Sequence, residues 1–163
     1  MKPFRRRGDH VVAGLSAQES EILGLLLEQL DQLLDEDAVD VPADPVRARL
    51  FPAGHATDAE IARDYRDLTE SALREGKAGD LALVRATVPA DGGDVRLDDD
   101  QARAWLRTTN DLRLALGTRL GITAETGPPD PEDGSQQMSV YHWLTAVQGS
   151  LVDAFVSGAG RRR

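Results

Sequence analysis

Cysteine is absent from all 163 residues. That absence removes disulfides, thiolate metal sites, a cysteine nucleophile and any thiol redox switch within this sequence. Aromatic residues make up only 4%, so the core must be assembled mainly from Leu, Val, Ile and Ala, a composition suited to packed helices. No apolar stretch approaches the ~20 residues that cross a bilayer. The basic start is not followed by a long apolar segment, so no secretory signal is expected. The expectation is a cytoplasmic chain with no membrane partner. Positive charge is scarce as well: 28 Asp and Glu face 19 Lys and Arg, for a net charge of −9. Such a chain repels phosphate backbones unless its cations are gathered locally.

They are gathered at both ends, as Arg5-Arg6-Arg7 and Arg161-Arg162-Arg163. Hydrophobic residues at 40% and charged residues at 29% are ordinary for a globular protein. The length fits one domain over 1–163. Order is expected over about 4–156, with 157–163 a flexible basic tail.

The chain opens with "FRRRGDHVVAGL", in which Gly8-Asp9 is a favoured two-residue hairpin turn between short strands Phe4–Arg7 and His10–Ala13. Three consecutive arginines break the expected alternation. Ser16-Ala17-Gln18-Glu19 is a capping-box pattern. Behind it Ile22, Leu23, Leu26, Leu27, Leu30, Leu33 and Leu34 recur at helical spacing, and Leu25 widens the stripe, which predicts a deep helix to about Asp35. "DEDAVDVPADP" is an acidic, Pro-broken loop, and "VRARLFP" allows one helical turn. A second capping pattern, Thr57 to Glu60, starts a helix using Ile61, Tyr65, Leu68, Ala72 and Leu73. Gly76 and Gly79 are expected to end it, and "DLALVRATV" to form a separate short helix. Gly92-Gly93 is a turn, and Val95–Leu97 a brief strand able to pair with the hairpin. Asp98 with Gln101 caps a helix bearing Trp105, Leu106, Leu112, Leu116 and Leu120, stopped by Gly121. After a Pro-rich loop, a last helix runs from about Ser139 to Val156. The expected fold is mainly α: a four-helix bundle-like core with a small β-hairpin or three-stranded β appendage.

Little in this pattern resembles catalytic chemistry. His10, His55 and His142 are far apart, and none belongs to a spaced ligand motif. Asp98-Asp99-Asp100 suits the start of a helix, where carboxylates cap free N–H groups and meet the positive end of the dipole. Ser16 lacks a nucleophile-elbow context. We therefore expect no catalytic residues, no cofactor and no metal, and a chain that is not an enzyme; an uncharacterised enzyme is the least favoured reading.

The remaining candidates are arginines. Arg107, Arg113 and Arg119 fall on the polar side of the Trp105 helix, either as a solvated face, with Asp111 pairing to Arg107 four residues away, or as a partner contact. Arg5, Arg6 and Arg7 admit three readings: a solvated strand face, a protein contact, or a phosphate contact through bidentate hydrogen bonds. Direct DNA binding finds little support, because no helix is basic enough to enter a groove and only Phe4 is near for base stacking. Apolar helix faces leave a homodimer open.

Four stretches carry a resemblance: "FRRRGDHVVAGLSAQESEILGLLLEQL", "DPVRARLFPAGHATDAEIARDYRDLTESALREGK", "WLRTTNDLRLALGTRLGIT" and "MSVYHWLTAVQGSLVDAF". In this order they resemble the actinobacterial AosR-like family, formerly a domain of unknown function, across roughly Phe4 to Phe155. The resemblance implies a cytoplasmic stress-response regulator that contacts a sigma factor or RNA polymerase. Family genes tend to neighbour that of ClpS, which keeps a Clp-proteolysis adaptor as the alternative. The studied member of that family senses oxidant through an intramolecular cysteine pair, a switch that cannot operate in this cysteine-free sequence; either the protein regulates without sensing oxidant, or sensing lies in a partner. On this reading the partner surface is Arg5, Arg6, Arg7, Arg107, Arg113 and Arg119.

Overall fold

The computed structural model describes residues 1–35, 45–50, 59–122 and 135–160. The elements run β1 (Lys2–Arg7), β2 (His10–Leu15), α1 (Ala17–Leu34), α2 (Pro45–Leu50), α3 (Ala59–Thr87), β3 (Gly93–Leu97), α4 (Asp99–Arg119) and α5 (Gln136–Ala159). The protein is mainly α: among the described residues there are four long helices and a three-stranded antiparallel sheet in the order β1-β2-β3.

Local chemistry explains most boundaries. Arg7 faces His10 across the Gly8-Asp9 turn, where Gly8 has φ 61°, the backbone state that two-residue hairpins require. Ser16 and Asp98 each close a capping box, accepting from the N–H three residues on while that residue's side chain accepts from the cap's own N–H. α4 ends in a Schellman motif. Gly121, at φ 75°, donates to the Thr118 carbonyl at 3.1 Å, and Ile122 donates to the Gly117 carbonyl at 2.9 Å.

The inner sheet face buries Phe4, Val11, Ala13, Leu15, Val95 and Leu97 against the helices. α4 occupies the centre and packs on α1, α2, α3, α5, β2 and β3. Its Trp105 is 1% exposed. The indole meets the Phe4 ring edge-on at 5.3 Å and 64°, and its N–H donates to Thr87 Oγ1 of α3 at 2.7 Å.

Four expectations change. α1 is not the deep helix. It buries Leu23, Leu27, Leu30 and Leu34 along one stripe, and Leu25 is 56% exposed, because the central place belongs to α4. Gly76 and Gly79 do not end a helix; α3 runs unbroken through both. Tertiary contacts supply the reason: Lys77, Asp80, Leu81 and Val84 all bind α4 or the core on the two turns around these glycines. Ala72 and Leu73, expected inward, are exposed. α5 begins earlier, at Gln136 behind the Ser135 cap, and extends three residues past Val156 to Ala159. The Thr57–Glu60 cap and Arg161 to Arg163 lie, in part or whole, outside the described residues.

Gly76 and Gly79 sit in helical backbone, and an added Cβ at either meets open space. Gly76→Ala and Gly79→Ala should therefore each raise stability by about 1 kcal/mol in urea denaturation, the usual helix cost of glycine against alanine. A destabilised alanine variant would show that α3 needs its glycines.

Candidate partner-binding face

Strand alternation divides the arginine triplet. On β1, Phe4 and Arg6 face inward, while Arg5 and Arg7 face out and are exposed. The Arg6 side chain is only 9% exposed. Its Nη1 donates to Asp99 Oδ1 at 2.7 Å, its Nε donates to the Ala154 carbonyl at 3.4 Å, and its guanidinium lies 5.9 Å from the Phe155 ring centroid. Gly158 leaves the space for this, since a Cβ there would sit 2.8 Å from the Arg6 Nε. One arginine thereby ties the hairpin to the start of α4 and the end of α5. α5 also covers the β1 backbone, where the Phe4 N–H donates to Ser150 Oγ at 3.2 Å.

The outer sheet face is assembled from three strands. β1 contributes Arg5 and Arg7, and also Lys2, because a register shift between Lys2 and Arg5 sets Lys2 opposite Gly14 on the Val12 side; β2 contributes His10 and Val12; β3 contributes Asp94 and Arg96. Arg5, Val12 and Arg96 form one cross-strand row. Arg96 Nη2 donates to His10 Nδ1 at 3.1 Å. A shallow groove of about 390 Å³ runs over this face, lined by Lys2, Arg5, Arg7, Val12, Asp94 and Arg96. Four cations here stand against one carboxylate, on a chain of net charge −9. Lys2 and Arg96 carry no signal of their own in the sequence, and His10 is weighed there only as a metal ligand. Period-two alternation of Asp94 and Arg96 with buried Val95 and Leu97 was the available signal.

The α4 arginines do not join this face. Arg107 makes a bidentate pair with Asp80 of α3, at 2.7 and 2.8 Å, and the Asp80 hydrogen bond raises its pKa above the ordinary arginine value. It does not pair with Asp111. That carboxylate is buried and accepts from Lys77 Nζ at 2.8 and 3.0 Å. Arg113 is held against α5 by Thr145, Gln148 and Tyr141, with its guanidinium 5.4 Å from the Tyr141 ring centroid. Arg119 is exposed near the far end of α4. A 21-residue helix is about 30 Å long, and α4 starts beside Arg6, so Arg119 lies at the opposite end from the sheet. Of the six arginines, the fold brings Arg5 and Arg7 together on one exposed surface, and Arg6 and Arg113 are occupied within the protein.

The acidic triplet and Ser16 have structural partners. Asp98 caps α4 through Gln101 N–H at 2.8 Å, Asp99 holds Arg6, and Asp100 meets Arg103 at 3.3 Å. Ser16 caps α1. His142 stacks edge-on with Tyr141 at 6.2 Å, and His55 lies outside the described residues. Among the described residues, no group of three acidic or histidine side chains is placed to hold a metal. A cleft of about 550 Å³ at the hairpin tip is lined by Arg6, Asp9, Asp99, Arg103 and Phe155, and the Arg6 and Asp99 charges in it are already spent on each other. Among the described residues no helix is long and apolar enough to cross a membrane.

A family model described as a domain of unknown function, DUF2017, matches residues 1–155. Over 130 residues the chain is 37% identical to a protein named oxidative stress regulator AosR from Mycobacterium tuberculosis and from Mycobacterium bovis, covering 68% of this chain and 58% of each relative. It thus spans little more than half the length of these curated relatives. A putative oxidative stress regulator AosR from Mycobacterium leprae is 32% identical over 173 residues, covering 91% of this chain and 80% of its own. No solved structure matches the chain.

Burial separates the arginines energetically. Arg6→Ala should cost about 2 kcal/mol, the usual loss for buried hydrogen bonds to a charged group, whereas Arg5→Ala on the outer face should stay within about 0.5 kcal/mol. Urea denaturation of both variants tests this; equal costs would mean that Arg6 is no anchor.

Burial pushes the Asp111 carboxyl up, and the Lys77 hydrogen bond and charge only partly offset that. A group with a raised folded value favours folding below its unfolded value, and that contribution is lost as pH rises through the folded value. The stability advantage of the wild type over Asp111→Asn should therefore shrink as pH rises from acid toward neutral. A difference that is flat with pH, or grows, would mean that Lys77 outweighs burial.

Proposed function

Because this chain belongs to the DUF2017 family, and relatives it matches are named oxidative stress regulators, we propose that it is a non-enzymatic cytoplasmic regulator that contacts the transcription machinery, a sigma factor or RNA polymerase. The observation that carries the reading is the basic outer sheet face, where Arg5, Arg7 and Arg96 stand exposed on an acidic chain. Contacts of this kind steer association and select partners by charge.

Two features favour a protein over a nucleic acid on that face. Phe4, the one aromatic residue of the hairpin, is buried inward and offers no stacking platform. Among the described residues no long basic helix accompanies the sheet to enter a groove; the one helix without an acid, α2, is six residues long. Since these 163 residues hold no cysteine, the regulator on this reading either acts without sensing oxidant or relies on a thiol of its partner.

The test is an affinity pull-down from native cell extract, before and after peroxide, read by mass spectrometry. Wild-type protein should recover a sigma factor or polymerase subunits, Arg5→Glu/Arg7→Glu should lose them, and Arg119→Glu should keep them. Recovery of ClpS or its protease alone would move the assignment to an adaptor in proteolysis. Full recovery by the Arg5→Glu/Arg7→Glu variant would remove the sheet face from the function.

A further inference from the structure

Resting on the partner-contact reading above, we propose that the outer sheet face binds an extended acidic polypeptide segment whose carboxylates alternate along its chain. Arg5 and Arg7 lie two residues apart on the same face of β1, a separation of about 6.8 Å at strand rise. Alternate side chains of any extended segment repeat at that same distance. A segment running along β1 with acids at every second position therefore sets one carboxylate over each guanidinium, whose planar fork donates to both oxygens.

Arg96 supplies the second dimension. It shares a row with Arg5 through Val12, so it stands two strand spacings away, about 9.6 Å. Val12 between them is half-buried and gives the groove an apolar floor. The intervening side chains of a bound segment point away from the sheet and are unconstrained. Arg96 is held by His10 at 3.1 Å, which fixes one corner of the cationic triangle before a partner arrives. Charge complementarity names the occupant: four cations and one carboxylate line this groove, while the whole chain at −9 opposes a polyphosphate that extends beyond it. The short, flat patch suits a few carboxylates and has no exposed aromatic residue among its lining groups.

The probe is a fluorescein-labelled eight-residue peptide of alternating Glu and Thr, compared with a block peptide of identical composition, Glu-Glu-Thr-Thr-Glu-Glu-Thr-Thr, in which no two Glu are two residues apart and so no two adjacent same-face positions are both acidic. Binding to the full chain is read by fluorescence anisotropy at low and at physiological salt. The alternating peptide should bind more tightly than the block peptide, and its affinity should fall with salt. Arg5→Gln and Arg7→Gln should each weaken it about tenfold, as loss of a charge-assisted hydrogen bond does. Arg96→Gln, on a separate strand, gives an independent check should a β1 variant unfold. Arg119→Gln, at the far end of α4, should leave the affinity unchanged. Equal affinity for the block peptide, an equal loss with Arg119→Gln, or tighter binding of an eight-nucleotide single-stranded DNA would each overturn the proposal. The pull-down separates the two readings. If the peptide binds as described while no transcription partner is recovered, the regulator reading falls and this one stands; if a partner is recovered through Arg5 and Arg7 while the alternating peptide fails, this one falls alone.

Discussion

Trp105 is the contact on which the arrangement of this protein depends. With aromatic residues at 4% of the chain, few side chains are large enough to reach three elements at once. Trp105 sits on the central helix, packs edge-on against Phe4 of β1, and gives its one donor to Thr87 at the end of α3. A buried indole without a partner for its N–H is costly, so Thr87 fixes the indole orientation as well as its depth. Thr87 also donates to the Val84 carbonyl at 2.9 Å, which orients its hydroxyl to accept the indole proton. Sheet and helices are thereby registered to one another through a single side chain.

Arg6 completes that registration from the other side of β1. It is a cation on an inward face, and such a residue is tolerated only when its charge and donors are met. Asp99, the Ala154 carbonyl and the face of Phe155 meet them. The consequence for function is indirect but definite. Because Arg6 is held inside, Arg5 and Arg7 are obliged by the pleat to stand outside, and the hairpin presents them on a surface anchored to α4 and α5 instead of on a loose arm. The central helix shows the same economy of charge. Arg107 and Lys77 bind Asp80 and Asp111 in a crossed pair of bridges between α3 and α4, and so carry the middle of α3 across its two glycines.

Much of the architecture was legible in the residues alone. The capping boxes at Ser16 and Asp98, the Gly8-Asp9 turn, the Gly121 stop and the leucine stripe of α1 are local signals, each resolved within a few residues by backbone hydrogen bonding. α3 was not legible as one helix, because glycine propensity is a weak prior that the contacts of Lys77, Asp80, Leu81 and Val84 override. The burial of α4 and the exposure of Leu25 escaped for a related reason. Amphipathic spacing tells which face of a helix is apolar and leaves open how many neighbours surround it.

The candidate site divides in the same way. The sequence by itself determined that there is no thiol chemistry within these residues, that negative charge prevails, that helices dominate and that a hairpin carries three consecutive arginines. All of these follow from composition or from interactions within a few residues. Only the tertiary structure decided that Arg6 belongs to the core, that Asp111 pairs with Lys77 and not with Arg107, that Arg113 is spent on α5, and that Arg96 joins Arg5 and Arg7. Each of those outcomes is a pairing between residues more than 25 positions apart, selected by burial and by the need to satisfy a charge, and neither quantity exists until the elements pack.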